Sequence, residues 1–361
     1  MYRDIIKSKV ENIQDEKIRE SVFSEYKTKS APTQASSNFI TNKEQGDWAE
    51  RLLYNAIDQT LNNFVVVKYG KSDNLIAGDD RFSDFYEEYQ NELVEIGKRP
   101  DLLIFKKEDY DSELGRDISS YPHDQIDEYI SKAVAGLEVR SSAFLVEKYE
   151  EYNRKDKSNL FDEILSLKNV IKDSVDWDKQ KSQTAITYIN FLNSMNEDNI
   201  ADIPRRPISQ SIDSNVKENM KKLKDKINKF IKRDTLSITP KLEDLQVVYR
   251  WIQKYNVPHF YVQVFFDRIY GISFEEILDV LGKDSLEYSV EKDTKNQGKT
   301  TIKININNTS FLSEKVFEPE YIAKRKELSK GRLLFYTEFK NECAILKKAE
   351  IMSLLKIEDE E

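Results

Sequence analysis

The stretch GKRPDLLIFKK, residues 97–107, sets a carboxylate, Asp101, behind a proline at the entrance to a short apolar run. The run LLIF is the length and composition of a buried strand, so an acid fixed at its mouth needs a physical reason. A second stretch, AGLEVRSSAFLVEK at 135–148, repeats the problem: Glu138 and Arg140 stand two positions apart in a segment that otherwise favours burial. The two acids are 37 positions apart, each on a short segment able to lie beside the other in one sheet. Side by side, two carboxylates repel, and the pair is costly unless a cation neutralises it. A divalent magnesium ion does so while keeping several waters and leaving room for a phosphate oxygen. Such an ion also lowers the pKa of a bound water and stabilises charge as a P–O bond breaks. The plainer reading makes both residues exposed acids at strand ends.

The rest of the composition narrows the chemistry. A chain of 361 residues can bury a large core and holds two domains, or one domain with an elaborate insertion. The single cysteine, Cys343, excludes an internal disulfide framework and fits a reducing compartment. With only His123 and His259 present, a His/Cys zinc site is excluded, so any metal must be a hard ion held by oxygen: magnesium, manganese or calcium. No run of apolar residues reaches the eighteen needed to span a membrane, and the N-terminus lacks a secretory layout.

Net charge is −9, which argues against a nucleic-acid partner until its distribution is read. From Lys217 to Lys241 nine basic residues face three acidic ones, Lys221, Lys222 and Lys224 among them, and Arg205 and Arg206 stand just upstream between two prolines. Screening confines a charge to its surroundings, so an acidic protein with a basic strip can still dock phosphates. A lysine-rich helix is also what an ordinary solvated face looks like.

Hydrophobic spacing predicts helical structure over residues 1–30 and a helix from about Asn42 with Trp48, Leu52, Leu53 and Ile57 inward. FVVVKY (64–69), RPDLLIF and GLEVRSSAFLV read as strands, with partly helical, acidic and aromatic sequence between the first two. Residues 150–235 read as an inserted, mostly helical unit, leaving 1–149 and 236–361 as the core. After it come a helix over TPKLEDLQVVYRWIQKYN, one strand over NVPHFYVQVFFDRIYGI and a capped helix at SFEEILDVLG. TTIKINI and GRLLFYTEF read as strands and KKAEIMSLLK as a closing helix. The order argues for an α/β protein: a mixed central sheet flanked by helices, with a helical insertion.

The elements P-D101-LLIF and E138-V-R140, preceded by a helix carrying Glu50 in GDWAE, resemble the PD-(D/E)xK nuclease fold. The block KLEDLQVVYRWIQKYNVPHFYVQVFFDRIYGISFEEIL is similar to the corresponding part of AccI-type type II restriction endonucleases. The resemblance covers roughly residues 40–150 and 235–340. It implies a restriction-endonuclease-like core and a magnesium site (manganese substituting) made by Asp101, Glu138 and the Val139 carbonyl, with Glu50 beside it. It further implies a bacterial, cytoplasmic enzyme cutting both strands of duplex DNA at a short palindrome, working as a homodimer, with a cognate methyltransferase encoded alongside. Strip residues 205–241 would grip phosphates, Arg205, Arg206, Lys221, Lys222, Lys224 and Lys241 included, and Arg205, Arg206 or the segment NINNTS (305–310) are the candidates for base readout.

One position departs from the motif. Where the family has lysine this chain has Arg140, which is charged at any working pH and cannot serve as a base. Either Arg140 does the work electrostatically or a lysine enters from elsewhere, with Lys241 and Lys148 as the candidates and Lys241 preferred. Glu50 could instead be a surface acid paired to Arg51 or Lys43, and Gln263 a half-buried residue near the active edge. Two other readings stay open: a structure-specific repair or phage-type nuclease, and a DNA-binding protein on this fold without catalysis.

Overall fold

The computed structural model describes every residue except 72–74, 232–235, 284–287, 293–299, 330 and 359–361. It divides into two compact units, Met1–Val146 with Leu236–Glu361, and Glu147–Thr235.

The first unit is built on a six-stranded sheet in the order Phe64–Lys68, Leu102–Lys106, Ala135–Ser142, His259–Phe265, Ile269–Ser273, Ser310–Phe311. All neighbours are antiparallel except Ala135–Ser142 and His259–Phe265, which run parallel with Glu138 opposite Tyr261 and Arg140 opposite Gln263. A parallel pair needs a long crossover, and the chain supplies it with the second unit and the helix Leu242–Tyr255. The sheet is therefore mixed, as the resemblance implies, and helices cover both faces. On one face Leu103, Phe105 and Tyr261 pack with Ile6, Val10, Trp251 and Leu278. On the other, Leu137, Val139 and Val262 pack with Trp48, Leu52 and Leu53.

Two expectations are corrected. Residues 256–272 do not form one strand: Asp267 and Arg268 lie in a bend, and the chain folds back as the hairpin His259–Phe265 and Ile269–Ser273. Every residue of its first strand is buried, because helices lie on both sides, so no alternating pattern marked its end. The helix expected from about Asn42 starts at Ser37, where the Ser36 hydroxyl accepts from the Phe39 N–H and caps it. The first thirty residues hold two helices, Tyr2–Glu11 and Glu16–Phe23, the second capped by Asp15.

The capped helix expected at SFEEILDVLG runs Phe274–Gly282, with Ser273 and Glu276 closing a reciprocal capping box. The second unit carries the helices Gln183–Ser194 and Ser214–Ile231, whose Tyr188, Leu192, Met220, Leu223 and Ile227 share one apolar cluster.

Candidate active site

The five residues of GKRPD each face a different task, and together they answer the question posed by Asp101. Gly97 has φ +85°, and a Cβ there would lie 2.1 Å from the Val247 carbonyl oxygen. Only glycine lets the loop lie flat on the helix Leu242–Tyr255. Lys98 then donates its backbone N–H to that carbonyl at 3.0 Å and sends its ammonium to Glu138 Oε1. Arg99 turns away, forking onto Glu92 at 2.7 and 2.8 Å and lying over the Tyr69 ring at 4.8 Å. Pro100 fills the space above Gly136, where a Cβ would come within 2.8 Å of the proline ring.

Asp101 sits one residue before its strand. Its Oδ2 accepts from the Val139 N–H at 2.6 Å, and its carbonyl accepts from the N–H groups of Tyr69 and Gly70 at 3.0 and 3.1 Å. The acid is thereby fixed across the gap between two strands.

Glu138 is 1 % exposed. Its Oε1 meets Lys98 and lies 3.0 Å from Arg140 Nη2, while Oε2 is buried without a hydrogen-bond partner among the described residues. Arg140 in turn pairs with Asp244, a first-turn residue of the helix Leu242–Tyr255. Lys98, Glu138, Arg140 and Asp244 thus form an alternating chain of charge on one side of the sheet.

Glu50 comes in from the helix Ser37–Thr60. Its proposed surface partners are engaged elsewhere, Lys43 with Asp47 at 2.7 Å and Arg51 with Glu342 at 2.9 Å. Glu50, Lys98, Asp101, Glu138, Val139 and Arg140 line a single cleft of about 610 Å³, with Asn42 to Asp47 contributing its rim.

The electrostatics separate these acids. Burial, then the charges of Glu138 and Glu50, push the Asp101 carboxyl well above its usual range, against the opposing pull of Lys98 and the Val139 N–H. Burial, then Asp47 and Glu138, push Glu50 up to about 7. Glu138 is just as deeply placed, yet Lys98 and Arg140 outweigh burial and hold it below the ordinary value. Burial would depress Lys98, but the negative charge of Glu138 more than offsets this and raises it. Four carboxyls, counting Asp244, therefore face two cations in one buried region.

A hard divalent cation fits this donor set. Magnesium uses one or two carboxylates and keeps its waters, so it does not demand a finished protein cage. Among the described residues no three His, Cys, Asp or Glu side chains already form such a cage. What the site offers instead is a Glu138 oxygen with no partner among the described residues, beside two acids, Asp101 and Glu50, raised first by burial and then by neighbouring negative charge.

The profile of the AccI restriction endonuclease family matches residues 10–361. The chain belongs to that family. The match also takes in the helical insertion and both flanks, residues 10–39 and 341–361, beyond the blocks that carried the resemblance. No curated protein matches the chain, and no solved structure does. Membership of the AccI restriction endonuclease family makes the protein a nuclease, a hydrolase working on DNA.

Seen against the sequence, Asp101, Glu138, Val139, Arg140 and Glu50 are brought together, and Lys241 is not. Lys241 precedes the first turn of the helix Leu242–Tyr255, pairs with Thr301 in a bridge and acts on Asp244 through its charge. That helix was expected to run back across the strands and does, but it delivers the acid one turn in rather than the lysine at its start. Lys148 falls in the second unit.

Sequence reasoning missed two residues, Lys98 and Asp244. The first had a signal: a lysine three positions before the motif aspartate, directly after a glycine. Gln263, opposite Arg140, is buried with its Oε1 unpartnered and does not line the cleft.

The basic strip lies on the second unit apart from Lys241, which belongs to the first. Lys221, Lys222 and Lys224 are exposed on the helix Ser214–Ile231, Lys222 paired with Glu218 at 2.8 Å. Arg205 is exposed, whereas Arg206 donates to the Lys217 carbonyl at 3.2 Å. Lys232 and Arg233 lie outside the described residues. In NINNTS, Asn307 and Asn308 are exposed in a short 3-10 turn. Among the described residues no helix is long and apolar enough to cross a membrane.

Proposed function

We propose that the chain is a type II restriction endonuclease of the PD-(D/E)xK kind, hydrolysing both strands of duplex DNA at a short palindrome with magnesium. Asp101 and Glu138, with the Val139 carbonyl, would hold the ion, and Glu50 would stand beside it. When bound, magnesium supplies a water of lowered pKa and neutralises charge on the phosphate. Asp101, tied to the Val139 N–H, keeps the spacing between the two acid-bearing strands. Lys98 takes the position of the missing motif lysine: its ammonium, already beside Glu138, orients the attacking water and faces the phosphate oxygen. Arg140, committed to Asp244 and Glu138, holds Glu138 in place and leaves that task to Lys98.

The observation that carries this reading is the convergence of Lys98 and Asp101, from one loop, and Glu138, from a separate strand, on one cleft. Two copies of the chain would serve the two strands of a palindrome, and a companion methyltransferase would protect the host's own sites.

The experiment compares wild type with Asp101→Ala, Glu138→Ala and Lys98→Met on long duplex DNA with magnesium. Discrete, reproducible fragments from wild type are expected, with cleavage lower by a factor of roughly 100 or more in each variant. Undiminished cutting by any one removes that residue from the site. Digestion without discrete bands, dependent on ends or junctions, favours the repair-type nuclease. Salt-sensitive binding with no cleavage under magnesium or manganese favours the inactive binding protein.

A further inference from the structure

Outside the cleft, exposed aromatic and basic side chains gather on the antiparallel ribbon Glu320–Glu327 and Leu333–Lys340. The segment 320–340 carries six basic and three acidic residues in a chain whose net charge is −9. Directly opposed residues share a face of such a ribbon. Arg325 stands opposite Phe335, and Ala323 opposite Thr337. Phe335 is 64 % exposed, Tyr321 79 % and Leu333 44 %. Arg325 is exposed and makes no ion pair among the described residues, whereas Lys324 and Lys326, one position either side of it, are engaged with Glu338 and Asp79.

The ribbon is held rigidly. At its base Phe339 is buried against Trp48 and Phe266. At its tip Leu328 and Leu334 are buried with Ile76 and Ala77, and Ser329 donates to the Gly78 carbonyl at 2.9 Å. Along its edge the N–H groups of Phe335 and Thr337 donate to the hydroxyls of Ser37 and Thr41, each at 3.2 Å. Those hydroxyls belong to the helix whose next residues, Asn42 to Asp47, form the rim of the cleft. At 1.5 Å per residue, Ser37 and Asp47 are about 15 Å apart along that helix.

A rigid face that leaves two aromatic rings and an unpaired arginine in water is arranged for a partner. We infer that this partner is duplex DNA, and that the ribbon enters a groove beside the scissile phosphate, with Arg325 and Phe335 at the contact and Tyr321 nearer the ribbon's base. This rests on the nuclease reading above. The major groove admits a two-stranded ribbon, arginine forks onto guanine edges, and apolar rings meet thymine methyl groups. One turn of B-form DNA spans about 34 Å. A duplex with its phosphate in the cleft therefore passes the ribbon within half a turn. The excess of basic residues matches a polyanion and repels the same face of a second copy.

The test uses the full-length chain and two 30-bp duplexes, one containing a sequence wild type cuts and one lacking it, with calcium to support binding without cleavage. Arg325→Ala and Phe335→Ala, singly and together, are compared with wild type by fluorescence anisotropy. Each single change is expected to weaken binding to the cut duplex roughly tenfold to hundredfold, and to do so far less on the other duplex. Thermal unfolding and sedimentation should not change, because both side chains face solvent. Binding within twofold of wild type while cleavage survives would overturn the ribbon alone. A shift from dimer to monomer in the double variant would also overturn it, marking the face as an interface between copies. Wild type that neither binds nor cuts any duplex overturns the nuclease reading together with this one.

Discussion

Protonation of His259 is worth following closely, because this ring lies fully buried on the strand beside Glu138. Neither ring nitrogen has a hydrogen-bond partner among the described residues, and the ring sits edge-on to Trp251 at 6.0 Å and Phe274 at 6.2 Å. Burial is the main cause that keeps it neutral down to about 3; nearby Glu138 opposes this, and Lys98 and Arg140 reinforce it. In the unfolded chain the same imidazole takes its proton near pH 6.5. Between those two values the unfolded chain binds a proton that the folded one refuses. The contribution to stability is therefore whole above about pH 6.5 and drains as the pH falls toward 3, at about 1.4 kcal/mol per pH unit.

At pH 5 the loss is about 2 kcal/mol. Glu50 works in the other direction: with its carboxyl pushed up to about 7, the folded chain gains on the unfolded one as the pH falls toward the ordinary glutamate value. The wild-type curve alone therefore mixes opposing slopes, and the His259→Phe variant separates them. Phenylalanine strands no donor or acceptor here, so it should be close to neutral at pH 7.5. Urea unfolding would be followed by tryptophan fluorescence in a Trp177→Phe background, leaving Trp48 and Trp251 of the nuclease core to report. Relative to its value at pH 7.5, the stability gap in favour of the variant should widen by about 2 kcal/mol at pH 5. Parallel curves over that interval would refute the assignment of a buried, neutral His259.

Two further outcomes are expected. Asp244→Ala removes a half-buried partner of Arg140 and should cost roughly 3 kcal/mol, while Asp244→Ala with Arg140→Met should recover part of that loss, since no lone charge is left; additive costs in a denaturant double-mutant cycle would argue against the coupling. Ser273→Ala opens the capping box of the helix Phe274–Gly282 and should lower stability by about 1 kcal/mol, read from the urea midpoint, with the rate of DNA cleavage unchanged.

Much of the site was legible because its signals are local. A carboxylate behind a proline at the start of LLIF, and a glutamate inside GLEVR, are anomalies that burial alone makes visible. The capping box at Ser273 and Glu276 and the stripe Trp48, Leu52, Leu53 and Ile57 are likewise properties of neighbouring residues. The hairpin at 259–273 was illegible because both of its faces are covered, which erases the two-residue alternation that marks where a strand ends.

What the sequence determined by itself was therefore the acids, the helices and the mixed sheet, each written in spacing of a few residues. Which cation would answer those acids was decided by tertiary structure. Lys98 reaches Glu138 because Gly97 adopts a positive φ and the next amide binds the Val247 carbonyl, 149 positions further along the chain. Asp244 claims Arg140 from a helix that returns only after the whole insertion has been made. Charge balance is a sum over distances in space, and a linear order of residues does not contain those distances.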